Sequence, residues 1–580
     1  MRILNINVGV LGHVDSGKTS LAKALSTVAS TSAFDKNPQS KKRGITLDLG
    51  FSSFFVDGKA ASEINGEIQG YDKVQFALVD CPGHSSLIRT VLCGAQIIDL
   101  MLLVVDVTKG FQTQTAECLV IGSITCDQLV VVLNKCDLLQ EGTRDAQIDK
   151  IKKRVLKTLE LTKFSNAPIS VVSAAPGGRE VEFDANNNKN FTRQDIEDLI
   201  QVLLRTIRDP TERRQRVSRQ EFVFAVDHCF SVTGQGTVMT GTVLAGKARV
   251  GENIELPYQR IQKKIKSIQM FHEPVDVIGP GDRAGICVPQ LDPSLLERGL
   301  VGSPSEENLI PCHACILEDV KKIEYFKTAV TSKSRFHVFV GQDTASAKLT
   351  FFGHSPVSNV EDGSRSTVAK LEDSSVSYEY IEELQQDTDV RYDRVWVLLE
   401  FERPFICPKA SLVIGARLDS TSTTACRLAF YGRVALQMTD PNYRQTTLSK
   451  LCVFRRKSRR GQVERVLDSR TCVVRGLFKR ETNWDVFLGL RAYIVPDETK
   501  ESTGNIKIAG RIESSFGQSG KCRMALDDEL PAEWISQLGG KKGRKGGAES
   551  SGTFDGSRLK LAVVLEFRRH VFDKERRIMQ

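Results

Sequence analysis

Gly12, His13, Val14, Asp15, Ser16, Gly17, Lys18 and Thr19 form a G-x-x-x-x-G-K-[ST] string directly behind the apolar run at 6–11. That spacing makes a phosphate cradle. Glycines at both ends let backbone N–H groups turn inward, a lysine reaches the β and γ oxygens, and a threonine hydroxyl ligates Mg²⁺. Positions 20–27 read as a helix whose positive N-terminal end faces the same phosphates. The chemistry implied is the gripping of a nucleoside triphosphate.

A second acidic motif, Asp80-Cys81-Pro82-Gly83-His84, closes the apolar run at 76–79. Asp80 can hold Mg²⁺ through a water, the Gly83 N–H can sense a γ-phosphate, and the imidazole of His84 can orient an attacking water. Phosphoryl transfer asks mainly for such positioning and electrostatics. Between the two motifs lies Arg43-Gly44-Ile45-Thr46, whose threonine can complete the Mg²⁺ shell while a γ-phosphate is present, giving a loop that orders with the triphosphate and relaxes after hydrolysis. The catalytic set expected is therefore His84, Asp80 and Thr46, and the metal set Thr19, Thr46 and Asp80. The base is named by Asn134-Lys135-Cys136-Asp137 at the end of the apolar run 129–133. A carboxylate at Asp137 accepts both the N1–H and the exocyclic amino group of guanine, which favours GTP over ATP. Asn134 is expected to tie this loop to the phosphate loop, and the Lys135 stem to cover the base. Ser173 and Ala174, after 169–172, can offer N–H groups to the guanine O6.

Strand-end motifs of this kind require a parallel sheet with alternating helices, and that texture runs to about residue 208, followed by a charged stretch at 211–219 expected to be a linker. The 580 residues exceed one core and call for three or four domains. Composition is ordinary for a soluble chain, 41% hydrophobic and 26% charged. No apolar run approaches the roughly 20 residues of a membrane span, and the first strand begins at once, so no membrane association and a cytosolic location are expected. The 14 cysteines show no disulfide-like framework. Cys312 and Cys315 form a single C-x-x-C with no second pair at zinc-ribbon spacing, and are expected as buried cysteines of a domain-entry strand. The net charge of +9 is unevenly placed: residues 440–580 hold 29 Lys and Arg against 18 Asp and Glu. A basic C-terminal quarter points to phosphate backbones, RNA in particular.

The ordered set of motifs, with Gly-Phe-Gln-Thr-Gln-Thr-Ala-Glu at 110–117, resembles the translational GTPases of the elongation factor Tu class over roughly the first 210 residues. The resemblance implies a ribosome-stimulated GTPase in which His84 is the hydrolysis residue and 43–48 the first switch. From 221 the texture changes to short strands punctuated by glycine, and the string at 234–246 resembles the second domain of that family. The architecture expected is an α/β P-loop GTPase domain followed by three β-barrel domains, at 1–214, 218–308, 312–437 and 440–580. Within the third, 355–393 reads as a solvated, mobile insertion. The fourth is expected to hold strands at 451–454, 471–474, 485–490 and 559–567, a hairpin-like basic cluster of Arg455, Arg456, Lys457, Arg459 and Arg460, and a Gly/Ser/Lys-rich linker at 539–556. Lys541-Lys542-Gly543-Arg544-Lys545 in that linker is also compatible with nuclear import.

Four domains with a basic appendage resemble the selenocysteine-specific elongation factor family in its eukaryotic form, through Ser32–Lys36, Arg43–Phe51 and Ser514–Lys521. That resemblance places Phe51, Asp227, His228 and Arg283 around an aminoacyl group. It implies a monomeric carrier of selenocysteinyl-tRNA for a ribosome decoding UGA, with a fourth domain that binds the tRNA and communicates with the SECIS element through a SECIS-binding protein. GTP would be the substrate and Mg²⁺ the cofactor. The chemistry suits the assignment. A selenol is far more acidic than a thiol, which titrates near about 8.5, so the cargo is an anion that Arg283 and a protonated His228 beside Asp227 can bind. Serine on the same tRNA is neutral and would leave those charges poorly matched. The competing readings are another tRNA-carrying GTPase, similar to the gamma subunit of initiation factor 2, or a non-catalytic RNA-tethering scaffold.

Overall fold

Uninterrupted Leu, Val and Met within Leu100–Asp106 and Gln128–Asn134 leave these strands no polar face, so they are stable only when covered on both sides. They lie in a seven-stranded sheet made of β1 (Ile3–Gly12), β2 (Val28–Ala29), β3 (Gly50–Asp57), β4 (Lys73–Asp80), β5 (Leu100–Asp106), β6 (Gln128–Asn134) and β7 (Ile169–Val171), in the order β2-β3-β4-β1-β5-β6-β7. The pairs from β4 through β7 are parallel, while β2 and β3 join antiparallel at one edge. Leu21, Ala22 and Leu25 of α1 (Lys18–Leu25), Ala61 of α2 (Gly58–Ile64) and Leu199, Leu203 and Leu204 of α5 (Lys189–Thr206) cover one face, against Ile6, Val8 and Val10. The other face packs on Leu119 and Ile121 of α3 (Thr113–Thr125) and Val155 and Leu159 of α4 (Arg144–Leu159). Each such fully buried side chain contributes about 1.5–3 kcal/mol.

The computed structural model describes residues 2–26, 28–29, 50–81, 92, 97–160, 162–174, 189–296, 298–305, 309–341, 343–354, 371, 376–386, 392–418, 426–496, 507–517, 520–532, 534–535, 561–572 and 578–580. They fall into two units, one of Met1–Leu349, Leu384–Asp387 and Val397–Pro441, the other of Thr350–Glu383, Thr388–Trp396 and Asn442–Gln580. In the first unit the stretch expected as a linker is instead a helix, α6 (Thr211–Ser218). Its charge has a local use. Arg214 donates to Asp99 at 2.7 Å and to the Asn5 carbonyl at 2.7 Å, so the helix is pinned to the GTPase sheet.

An eight-stranded antiparallel sheet follows, built from 223–302, with Phe224, Met239, Ile254, Ile286 and Val301 in its core. Two side chains of β1 reach it: Asn5 Nδ2 donates to Asp282 at 2.6 Å and Asn7 Nδ2 to the Gly281 carbonyl at 2.9 Å. The strands Arg335–Val340, Leu412–Ala416, Leu428–Met438, Pro311–Lys322, Arg394–Ile406 and Asp343–His354 then follow one another around a closed ring. Arg427, next to that ring, holds Glu117 of α3 through two bonds of 3.2 and 2.9 Å.

In the second unit a further ring closes through Cys452–Asp468, Thr471–Arg475, Lys521–Leu526, Ile508–Phe516, Arg491–Pro496 and Leu561–His570. Three expectations change here. Residues 485–490 are a turn, and the strand begins at Arg491, because Trp484 and Phe487 pack onto Phe478 as a local aromatic cluster. The basic cluster is no hairpin but a run within the 17-residue strand Cys452–Asp468, where alternation points Arg459 onto Phe478, Phe487 and Phe567 and leaves Arg456 and Arg460 exposed. Within 355–393, Ser377–Ile381 is a strand, and Tyr378 is 1% exposed against Phe352 and Trp396. Residues 355–370 and 372–375 of that segment, and the linker at 539–556, lie outside the described residues.

Candidate functional site

β1 ends at Gly12, and the chain turns through Gly17, φ +91°, into α1. A β-carbon at Gly17 would collide with the Asn134 amide. That amide donates from Nδ2 to the Ser16 carbonyl at 2.9 Å and accepts the Ala174 N–H at 3.1 Å, so one buried side chain ties the phosphate loop, the end of β6 and the loop after β7 together. Lys18 is 6% exposed and donates to the His13 carbonyl at 2.7 Å, across the mouth of the loop. Burial lowers its pKa, with Asp80 opposing. The Ser16 hydroxyl, in a residue 1% exposed, has no hydrogen-bond partner among the described residues, and neither has His13 Nδ1. Burying such groups unsatisfied is costly, and phosphate oxygens would satisfy them. Thr19 Oγ1 donates to Asp80 Oδ2 at 2.6 Å. A buried hydroxyl and carboxylate, hard oxygens beside a phosphate cradle, fit Mg²⁺ by donor type.

At the base end, Asp137 N–H donates to Ser173 Oγ at 3.0 Å, holding the acidic residue half-buried beside Ala174. Lys135, in the left-handed region at φ +68°, pairs with Asp106 at 2.8 Å. Burial would raise the Asp106 carboxyl, but Lys135 and Thr108 hold it below its ordinary value. Sequence reasoning missed Asp106, although an acidic residue closing a buried strand, as Asp80 does, was a usable signal. It also missed Asp195, which accepts Ser173 N–H at 3.2 Å, and Gln114, which accepts Val14 N–H at 3.3 Å. Arg43, Thr46, Gly83 and His84 lie outside the described residues.

The second cluster is assembled across two domains. Arg283 Nη1 donates to Asp227 Oδ2 at 2.6 Å, His228 Nδ1 lies 3.0 Å from Asp227 Oδ1, and Thr240 donates to that same oxygen at 2.8 Å. The guanidinium stacks on the ring of Phe51, carried by β3 of the GTPase sheet, at 3.0 Å from the centroid. All four expected residues therefore meet. Burial pushes the Asp227 carboxyl up, but Arg283 and His228 outweigh it and hold the group below its ordinary value. Arg283 Nη2 is buried and has no hydrogen-bond partner among the described residues. Beside it a cavity of about 270 Å³ is lined by Phe230, Val238, Thr240, Gln269, Phe271 and His272. Phe271 and His272 both adopt positive φ, 47° and 75°. Consecutive left-handed non-glycine residues are costly and cluster at binding sites. Thr240 lies in the string at 234–246, whose strand texture gives no sign of this contact.

Cys312 and Cys315 are fully buried free thiols in Pro311–Lys322, where their side chains hydrogen-bond with that of Cys407. Among the described residues no group of His, Cys, Asp or Glu could hold a metal ion by itself, and no helix is long and apolar enough to cross a membrane.

The parallel sheet, the phosphate loop and the Asn134–Asp137 loop tied to it define a translational GTPase of the elongation factor Tu class. The family model for the elongation factor Tu GTP binding domain matches residues 4–209, and that for elongation factor Tu domain 2 matches 236–300. Two further models match later: the third domain of eukaryotic selenocysteine-specific elongation factors at 317–432, and the eEFSec C-terminal RIFT domain at 449–576. The selenocysteine-specific elongation factor of Mus musculus is 44% identical, covering all of this chain and 99% of the mouse protein. That of Methanocaldococcus jannaschii is 30% identical over 91% of this chain and 96% of the archaeal one. The chain belongs to the selenocysteine-specific elongation factor family. The crystal structure of translation elongation factor SelB from Methanococcus maripaludis, in complex with the GTP analogue GppNHp, shares the fold with a TM-score of 0.63 at 24% identity, covering 98% of this chain and 100% of that one. The initiation-factor and scaffold alternatives are not favoured.

Proposed function

We propose that the chain binds GTP and selenocysteinyl-tRNA, carries the tRNA to a ribosome at UGA codons, and hydrolyses GTP on correct pairing. One observation carries the cargo assignment: a buried guanidinium donor, Arg283 Nη2, that has no hydrogen-bond partner among the described residues and lies beside a cavity. A selenolate is the anion that satisfies it, while a seryl hydroxyl brings no charge. The cavity lined by Phe230 and Phe271 then takes the end of the tRNA that carries the ester.

In the nucleotide site, the Ser16 hydroxyl and the loop amides hold the phosphates, and Lys18 exchanges the His13 carbonyl for the β and γ oxygens. Thr19, Asp80 and Thr46 would hold Mg²⁺, which supplies charge neutralisation at the β and γ phosphates when bound. His84 orients the water that attacks the γ-phosphorus as the bond to the GDP oxygen breaks, and Asp137 accepts the guanine N1–H and amino group. The domains act as 1–214, 218–308, 312–437 and 440–580, with α6 bridging the first boundary. The basic fourth domain binds the tRNA and reaches the SECIS element through a SECIS-binding protein. The protein works as a cytosolic monomer.

The test is protection of the aminoacyl ester from hydrolysis by purified protein with a non-hydrolysable GTP analogue. Selective protection of selenocysteinyl-tRNA, lost in Arg283→Ala, is expected. Equal protection of the seryl ester on the same tRNA would move specificity to the tRNA body and end the charge argument.

A further inference from the structure

Cys452 opens the long strand of the second unit, and its surroundings differ from those of the other described thiols. Its Sγ lies 3.8 Å from His570 Nδ1 and 3.5 Å from Ser377 Oγ. On the far side of the imidazole, Nε2 lies 3.3 Å from Met579 Sδ. A thioether sulfur can only accept, so Nε2 carries the ring proton and Nδ1 turns its lone pair toward the thiol. Nucleophile, base and a group that fixes the base's tautomer thus stand in line.

The strand register adds positive charge. Arg455 lies opposite Arg569, and Arg456 opposite Arg568, while Phe454 lies opposite His570. Like charges directly across a ladder destabilise it; here Arg455 stacks on Tyr380 and Arg568 on Phe454, 5.1 and 4.7 Å from the ring centroids. Lys457 follows further along the same strand. The facing carboxylates are Glu382, which pairs with Arg455, and Glu379, which pairs with Arg456 at 3.1 Å. Cys452 is half-buried, partly open to solvent. Partial exposure, an imidazole and positive surroundings are the conditions under which a thiol becomes a nucleophile. The other half-buried cysteines, Cys229 and Cys426, are pushed up to about 11 by burial, and Cys472 and Cys522 in the same barrel up to about 12.

We propose that Cys452, activated by His570, is a peroxide-reactive thiol and a modification site of this chain. The thiol proton passes to His570 Nδ1, and the sulfur attacks the outer oxygen of a hydroperoxide. An S–O bond forms and the O–O bond breaks. The departing oxygen takes the proton from the imidazolium and leaves as alcohol or water. Sulfur is oxidised by two electrons to the sulfenic acid, and the peroxide is reduced by two. The product no longer offers the thiol proton to His570, at the point where Ser377–Ile381 runs parallel to the long strand.

The experiment treats the full-length protein with hydrogen peroxide, traps sulfenic acid with dimedone, and quantifies every cysteine peptide by mass spectrometry. Cys452 is expected to label at least about tenfold faster than Cys229 and Cys426, and His570→Gln and His570→Phe to slow it about tenfold or more, as loss of a positioned base does. Cys472 and Cys522 report the fold within the same run, and a variant counts only if both stay unlabelled. Equal rates for Cys452, Cys229 and Cys426 would overturn the proposal, as would a Cys452 rate unchanged in an intact His570 variant. If both variants open the barrel, the ranking of the three thiols in the unaltered protein decides.

Discussion

The nucleotide site and the arginine pocket lie in the same unit and are built by opposite rules. The first gathers loops at the ends of parallel strands, and much of its grip comes from backbone groups that Gly17 and Asn134 hold in place. The second is made of side chains in register on antiparallel strands: Asp227, Thr240 and Arg283 lie on three neighbouring strands, with Phe51 brought in from another domain. A backbone cradle accepts any nucleoside triphosphate until one residue reads the base. A pocket of paired charges is specific at once, and fragile, because each charge depends on another.

The comparison breaks most visibly at Arg283. Arg283→Ala leaves Asp227, 2% exposed, without its main partner, and is expected to cost about 3–5 kcal/mol in denaturant unfolding of the first unit, as removal of one partner from a buried pair does. Arg283→Lys keeps the charge but loses the fork, and should retain part of the stability while losing ester protection. In the nucleotide site the matching change, Lys18→Ala, should leave folding intact and weaken GTP binding by about 3 kcal/mol, roughly a hundredfold in Kd, measured by fluorescent-nucleotide titration. Asp137→Asn exchanges an acceptor for a donor; competition titrations should show GTP losing about 2 kcal/mol while xanthosine triphosphate gains.

Acid sharpens the contrast. The native Asp227 carboxyl titrates below its ordinary value, so its contribution is present above about 3.8, the unfolded value, and is lost as pH falls through the lowered native one. Stability measured between about pH 5 and 2 should fall more steeply in the unaltered protein than in Asp227→Asn. Thr240→Val, the smallest change, removes one bond to Asp227 and should cost about 1 kcal/mol, read as a roughly fivefold loss in discrimination between selenocysteinyl and seryl esters.

Motif spacing made the phosphate loop, Asp80, Asn134, Asp137 and Ser173 legible, because each sits at a strand end where an apolar run stops and a polar signature begins. The charged stretch before the second domain was misread since charge alone does not separate a solvated linker from a helix whose arginine is held by Asp99. Residues 485–490 carry a strand-like composition, but their aromatic side chains serve a local cluster. Asp106, Asp195, Gln114 and Thr240 act through partners distant in sequence, and composition does not reveal distance.

By itself, then, the amino-acid order determined a guanine-nucleotide enzyme and a succession of β-rich domains, since phosphate chemistry is written in short contiguous strings and strand texture in local alternation. Tertiary structure alone decided which nitrogen of Arg283 has no hydrogen-bond partner among the described residues, that Phe51 stacks beneath it, and that Cys452 and His570 stand together. The physical reason is reach: a hydrogen bond or a stacking contact acts over a few ångströms, and only the fold brings residues more than a hundred positions apart within that range.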